Sequence, residues 1–110
     1  MSGNQKIAIK TDFADLPEDL QNEECLEAYK YSRLWCLSIY VYEEEKQILE
    51  ENLKAARELF ENGDYFYANM PKELYKESCC RAFIFGLEQR LKEIEAGESG
   101  LSVFIKNISY

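Results

Sequence analysis

Apolar residues recur with two different periods along the chain. Near the N-terminal end, "KIAIK" places Ile7 and Ile9 on one face with the two-residue period of a β-strand. At the C-terminal end, "LSVFIKNISY" has the same period, with Leu101, Val103 and Ile105 on one face. The segment between them has helical periodicity. We therefore predict a short strand at each end and helices between them.

The longest segment without glycine or proline runs from residue 18 to residue 62. Its middle part, "YSRLWCLSIYVY", fits a strand as well as a helix, because apolar residues occupy alternate positions. The flanking sequences favour a helix strongly, and no turn residues separate them from it. We therefore predict one helix over residues 18–62, in which Leu34–Tyr42 is helical and largely buried and Trp35 lies in the core. Such a helix exceeds the usual length, so a kink near residues 31–32 is compatible with the pattern.

A second helical pattern covers residues 71–96. Asn69 and Pro71 are typical of a helix start, as N-terminal cap and first-turn proline. An apolar stripe then follows at helical spacing: Cys80, Phe83, Ile84, Leu87, Leu91 and Ile94. The predicted fold is a single α+β, mainly helical domain over residues 1–110. Two or three helices pack against a small sheet made by the N- and C-terminal strands. A helix-only bundle with extended tails is the alternative.

Acidic residues are concentrated in one part of the chain, whose net charge is −8. Between Thr11 and Tyr29 there are seven carboxylates and no cation: Asp12, Asp15, Glu18, Asp19, Glu23, Glu24 and Glu27. We call these seven residues the acidic arm. The simpler interpretation is a solvated surface that favours solubility. The functional interpretation is a surface that attracts a basic partner and repels nucleic acid.

Aromatic residues cluster in a second candidate site, the stretch "NGDYFYANMP". Tyrosine provides a large contact area at low entropic cost, so Tyr65 and Tyr67 are candidate partner-binding residues beside the acidic arm. A loop that folds back and caps a pair of helices would use the same residues without any partner.

Catalytic and metal-binding patterns are not evident. There is no histidine, which excludes Ser-His-Asp and Cys-His nucleophiles and histidine-based zinc sites. The five glycines form no phosphate-binding motif, and the four cysteines form no C-x-x-C pair. We expect reduced, mostly buried cysteines, with a redox role for adjacent Cys79 and Cys80 as the alternative. The sequence predicts no enzyme, no cofactor and no metal; carboxylates with a divalent metal would be the remaining catalytic route.

The predicted function follows from size, charge and these exclusions. We expect a cytoplasmic protein, because neither a signal peptide nor a membrane-spanning segment is visible. The composition suits a small acidic, non-catalytic binding protein. It would act as a stoichiometric inhibitor of a larger basic protein, and a protein that binds nucleic acid is one candidate for this partner. Phage counter-defence proteins (anti-restriction or anti-CRISPR) and toxin-immunity proteins are settings for such an inhibitor. The alternative is an adaptor or structural subunit that homodimerises through its long helix or its strand edges.

Overall fold

Three helices form the body of the protein. A computed structural model of the chain describes residues 6–9, 12–65, 70–97 and 105–109. The helices are α1 (Glu23–Ile39), α2 (Glu45–Glu61) and α3 (Glu77–Glu95). Single-turn 3-10 helices lie at Phe13–Asp15, Glu18–Leu20 and Lys72–Leu74, and the short strands are β1 (Lys6–Ile9) and β2 (Ile105–Ser109).

The start of α1 is set by local chemistry. Asn22 has an extended backbone, and its side-chain oxygen accepts a hydrogen bond from the Cys25 amide at 2.9 Å. This is the geometry of an N-terminal cap, which satisfies one amide that the helix itself leaves unpaired. Glu23 and Glu24 in the first turn interact favourably with the positive end of the helix dipole.

Helix α1 packs closely on α3 because small residues meet at the contact. Ser32 is buried, and its hydroxyl donates a 2.7 Å hydrogen bond to the Phe83 carbonyl across the interface. Gly86 faces the same serine, and a Cβ at this position would come within 2.7 Å of Ser32 Cβ. A glycine on α3 therefore lets the two backbones approach. Buried residues of both helices extend this contact into the core: Cys25, Ala28, Cys36, Cys79, Ala82 and Leu87.

The prediction of one helix over residues 18–62 is wrong. The chain leaves helical geometry after Ile39 and turns through residues 40–44 before α2 begins at Glu45. The reversal allows α2 to pack on α3 through Leu49, Leu53 and Ala56, all of which are buried. The break lies well after the kink considered near residues 31–32.

Burial of Leu34–Tyr42 is also only partly as predicted. The segment is helical to Ile39, but Leu34, Val41 and Tyr42 are exposed. Trp35 is only partly buried and packs against the edge of the core. The face of α1 that enters the core includes Ser32 and Cys36, each of which lies about 160° from Leu34 around the helix axis.

The predicted α+β class is wrong, because the architecture is a three-helix bundle. The packing that builds the core is α1 on α3 and α2 on α3. β1 and β2 pair with each other in antiparallel orientation, but a ladder of two short strands is not a layer on which helices stack. The weighed alternative, a helix-only bundle with extended tails, describes the bundle better.

The second predicted helix begins later than expected. Pro71 precedes the 3-10 turn at Lys72–Leu74, and α3 starts only at Glu77 after an extended Lys76. Asn69, the predicted cap, lies outside the described residues. The apolar stripe is confirmed in outline, since Cys80, Phe83 and Leu87 are buried. Its remaining members are partly buried and pack against the core: Ile84, Leu91 and Ile94.

Candidate functional site

The acidic arm lies on the surface, and the fold uses part of it. All seven carboxylates are exposed. Asp12 and Asp15 form a reciprocal capping box around the first 3-10 turn. The Asp12 side chain accepts from the Ala14 amide at 3.4 Å, and the Asp15 side chain accepts from the Asp12 amide at 2.9 Å. These two residues therefore have a local structural role.

Two further arm residues attach this segment to α3. Arg81 donates a 2.7 Å hydrogen bond to Asp19, and Lys76 pairs with Glu24. The Arg81 hydrogen bond lowers the pKa of the Asp19 carboxyl, and the Glu24 hydrogen bond raises the pKa of Lys76. Both pairs are solvent-exposed, so each contributes little to stability. They nevertheless neutralise two of the seven charges.

Glu18, Glu23 and Glu27 remain as the exposed carboxylates of the arm that form no ion pair or hydrogen bond with the described residues. Glu23 and Glu27 lie one turn apart on α1, and Glu18 begins the second 3-10 helix. Glu18, Glu23 and Glu27 are thus the arm carboxylates that the described part of the fold does not use, and the partner-binding role of all seven stays a prediction.

Of the two tyrosines predicted as contact residues, the structure describes Tyr65. Tyr65 is partly buried, and its ring lies 5.8 Å from that of Phe60 on α2. Its carbonyl accepts a hydrogen bond from the Cys80 thiol at 3.4 Å. Tyr65 thus contributes to the contact between α2 and α3, and its role as a partner-binding residue stays a prediction. Tyr67 lies outside the described residues.

A buried charge cluster at the opposite ends of the helices was not predicted. Arg90 donates to both oxygens of Glu45, at 2.7 and 3.1 Å, and lies 3.5 Å from Glu93. Arg33 donates to Glu93 at 3.0 Å. The side chains of both arginines are only 3% exposed. The four groups carry no net charge, as expected for ions held in a region of low dielectric constant.

A sequence signal for this cluster existed. Arg33 follows Tyr29 by one turn and precedes Cys36, and Arg90 continues the stripe of Phe83 and Leu87. An arginine at a core position of an apolar stripe needs a buried partner. The acidic run at residues 43–45 could have been interpreted as the start of a helix that supplies one.

The surface balance of charge follows from these pairs. Each of the four arginines is paired with a carboxylate of the same chain: Arg33 with Glu93, Arg57 with Glu88, Arg81 with Asp19, and Arg90 with Glu45. Lys46 also lies 3.8 Å from Glu95. Because each pair also neutralises one carboxylate, the remaining field is set by the excess of 21 acidic over 13 basic residues.

The cysteines do not form a reactive site. Cys25, Cys36, Cys79 and Cys80 are buried. Burial raises the pKa of Cys36 to about 12 and that of Cys79 to about 11. A reactive thiol needs the opposite, an exposed group with a lowered pKa. The redox alternative for Cys79 and Cys80 therefore gains no support, since both side chains are core residues.

A shallow groove crosses the seam of α2, α3 and the second 3-10 turn. Phe60, Ile84 and Phe85 contribute to its lining, with Arg57 and Arg81 beside them. Because Glu88 and Asp19 pair with these two arginines, the groove does not present free positive charge to an anion.

Two further features, a metal cluster and a membrane-spanning helix, are absent from the described part of the chain. No group of three or more histidine, cysteine or acidic residues there lies close enough to hold a metal ion. Within the same residues, no helix combines the length and apolar composition needed to cross a membrane. Comparison of the chain with protein-family models, with curated proteins and with solved structures returned no match.

Proposed function

We propose that this protein is a non-catalytic binding protein that inhibits a larger partner by covering a basic surface. The observation that carries the proposal is that Glu18, Glu23 and Glu27 are exposed and form no ion pair with the described residues, whereas each of the four arginines is paired with another carboxylate of the chain. An acidic surface of this kind accelerates association with a basic partner and disfavours other partners.

A protein that binds nucleic acid is the partner class with the required surface, because it presents lysine and arginine to phosphates. Occupation of that surface by carboxylates would block the nucleic acid competitively. The proposal therefore retains the inhibitor function expected from the sequence, in a counter-defence or toxin-immunity setting. The proposed contact residues are now three of the arm, Glu18, Glu23 and Glu27.

The test compares two variants with the same change in net charge. One reverses Glu18, Glu23 and Glu27 to lysine. The other reverses Glu51, Glu58 and Glu61, which are exposed on α2. Tagged proteins are used to recover partners from a lysate of the source organism, and association is then measured with the purified partner at low and high salt.

We expect the first variant to associate at least several-fold more slowly than wild type, and the second to change the rate much less. Nucleic acid should compete with the wild-type protein for the partner. Equal effects of the two variants, or binding that salt and nucleic acid leave unchanged, would contradict the proposal.

The alternative function is a homodimeric adaptor. Its predicted interface on one long helix is not available, because α1 and α2 are separate helices. It differs in two measurable properties. A dimer would have about twice the 12.9 kDa mass of the chain in light scattering. Its association would also strengthen with salt, because two copies of charge −8 repel each other.

A further inference from the structure

The outward face of α1 combines charge and apolar surface in one strip. At 3.6 residues per turn, Glu23 and Glu27 lie within about 20° of Leu34 around the helix axis. Leu34 is 46% exposed although it is a large aliphatic residue. The opposite side of the same helix is buried in the bundle. The exposed strip is therefore separate from the packing that stabilises the fold.

The turn that follows α1 adds two more exposed apolar residues. Val41 is 67% exposed and Tyr42 is 54% exposed. Leu34, Val41 and Tyr42 are three of the four large hydrophobic residues that are exposed in the described part of the chain. Exposed apolar residues that occur together, rather than scattered singly, indicate a contact surface.

Carboxylates flank this apolar centre on both sides. Glu23 and Glu27 lie toward the N-terminal end of α1, and exposed Glu43 and Glu44 follow Tyr42 in the turn. An apolar centre with a charged rim is the usual organisation of a protein interface. We define the α1 strip as Glu23, Glu27, Leu34, Val41, Tyr42, Glu43 and Glu44.

The charge of the α1 strip selects among the possible occupants. A second copy of this chain would bring its own carboxylates and a net charge of −8 to the same surface. A basic amphipathic segment instead matches both parts, with cations for the rim and apolar side chains for the centre.

We propose that the α1 strip binds a basic amphipathic helix of the partner, a proposal that rests on the function proposed above. The apolar side of that helix covers Leu34, Val41 and Tyr42, and its lysines or arginines reach the carboxylates at the two ends. From Glu23 to Ile39 the helical part of the strip is about 24 Å long at 1.5 Å per residue, which corresponds to between four and five turns of a partner helix.

Lys30 provides an internal check, because it lies about 40° from Leu34 on the same side of α1. It is partly buried and is the one cation on this side of the helix between Glu23 and Ile39. A basic partner is repelled by Lys30, so Lys30→Glu should strengthen binding. An acidic partner would give the opposite sign.

The experiment uses two synthetic probes of identical composition. The first is an 18-residue lysine–leucine peptide whose sequence forms an amphipathic helix, and the second has the same residues in a scrambled order. Binding to the full-length protein is followed by chemical shift changes of the protein amides and by calorimetry at two salt concentrations.

We expect the amphipathic probe to bind at least ten-fold more tightly than the scrambled probe, with shift changes centred on α1 and residues 40–44. The double variant Leu34→Ser with Val41→Ser should bind the amphipathic probe at least ten-fold more weakly than wild type, and its affinity for the scrambled probe should be unchanged. Lys30→Glu should tighten the amphipathic probe. Ala55→Ser, at an exposed position on α2, is the control and should change the affinity for neither probe.

Two negative results can be told apart. If both probes bind equally and the serine variants have no effect, the protein binds basic chains by charge alone. The α1 strip proposal is then overturned, and the proposed function stands. If neither probe binds and the Glu18, Glu23 and Glu27 reversals leave binding of the natural partner unchanged, both proposals are overturned.

Discussion

At the scale of single residues, small side chains determine how closely α1 and α3 pack. Gly86 and Ser32 meet where the two helices come close, and the Ser32 hydroxyl donates a hydrogen bond to the Phe83 carbonyl. Gly86 has no requirement for a left-handed backbone, unlike Gly63 at the end of α2, where φ is 79°. The role of Gly86 is therefore spatial, and the sequence pattern alone allowed this possibility without identifying its partner.

Gly86→Ala tests this contact. The added methyl would lie 2.7 Å from Ser32 Cβ, so one helix must move away. Alanine favours a helix over glycine by about 1 kcal/mol, but overpacking costs about 1–3 kcal/mol. We expect a net loss of free energy of unfolding in urea. The double variant Gly86→Ala with Ser32→Gly should lose less free energy of unfolding than the two single variants lose in sum. A stabilised Gly86→Ala variant would contradict the close approach.

Buried thiol and phenol groups predict how stability depends on alkaline pH. Burial raises the pKa of Cys36 from 9.0 to about 12 and that of Tyr29 from 10.0 to about 12. At a pH between the unfolded and the folded pKa of such a group, the folded chain holds a proton that the unfolded chain has released. Stability therefore falls as pH rises through this range. Each group contributes a slope of up to about 1.4 kcal/mol per pH unit.

We therefore expect stability to fall steeply between about pH 9 and pH 12, with little contribution from these groups below pH 8. Urea denaturation at successive pH values measures the slope. Cys36→Ala removes one ionising group and should make the curve shallower. A slope that is the same in this variant and in wild type would show that Cys36 does not take part.

At the scale of elements, the sequence predicts the helices better than their boundaries. The stripes of α2 and α3 were identifiable because their apolar residues recur at helical spacing. The break at residues 40–44 was missed, since this segment has neither glycine nor proline. Tertiary packing accounts for the turn: Arg90 on α3 holds Glu45 at the start of α2, and α2 can then pack on α3. Aromatic Tyr40 and Tyr42 and β-branched Val41, which are weaker helix formers than the flanking residues, were the local signal.

The buried charge cluster makes a prediction about how the three helices are held together. Arg90→Met leaves Glu45 and Glu93 without their shared partner in a largely buried region. Loss of one member of a buried pair typically costs about 3–5 kcal/mol. We expect a decrease in the free energy of unfolding of that order, with the α1–α2 turn becoming less protected in hydrogen exchange.

The matched control is Arg57→Met, because Arg57 also pairs with a glutamate but is about half exposed, at 52% of its side chain. This change should cost about 1 kcal/mol or less. A double variant, Arg90→Met with Glu45→Leu, should be more stable than Arg90→Met alone. If both single arginine variants lose the same stability, burial of Arg90 does not matter energetically.

At the scale of the whole molecule, the same carboxylates affect folding and binding in different ways. Folding responds to the total charge, since exposed charges interact over about a Debye length of 10 Å at 0.1 M salt. Binding responds to where the charges lie, because only those that face the partner steer the encounter. The sequence predicted the acidic arm, but only the structure shows which of its carboxylates are paired with Arg81 and Lys76.

The two triple variants separate these effects. Each reversal to lysine adds two positive charges, so three reversals take the net charge from −8 to −2. Wild-type stability should rise with added salt as self-repulsion is screened, and both triple variants should show a weaker salt dependence. Their free energies of unfolding at low salt should differ by no more than about 1 kcal/mol, because Glu23 lies in the first turn of α1 and Glu58 and Glu61 lie in the last turn of α2, so the helix dipoles shift the two values in opposite directions. Their association rates with the partner should nevertheless differ, with only the Glu18, Glu23 and Glu27 variant slowed. If the Glu18, Glu23 and Glu27 variant is partly unfolded under the conditions of the binding measurement, its slower association reflects altered folding. The acidic arm is then not the binding surface.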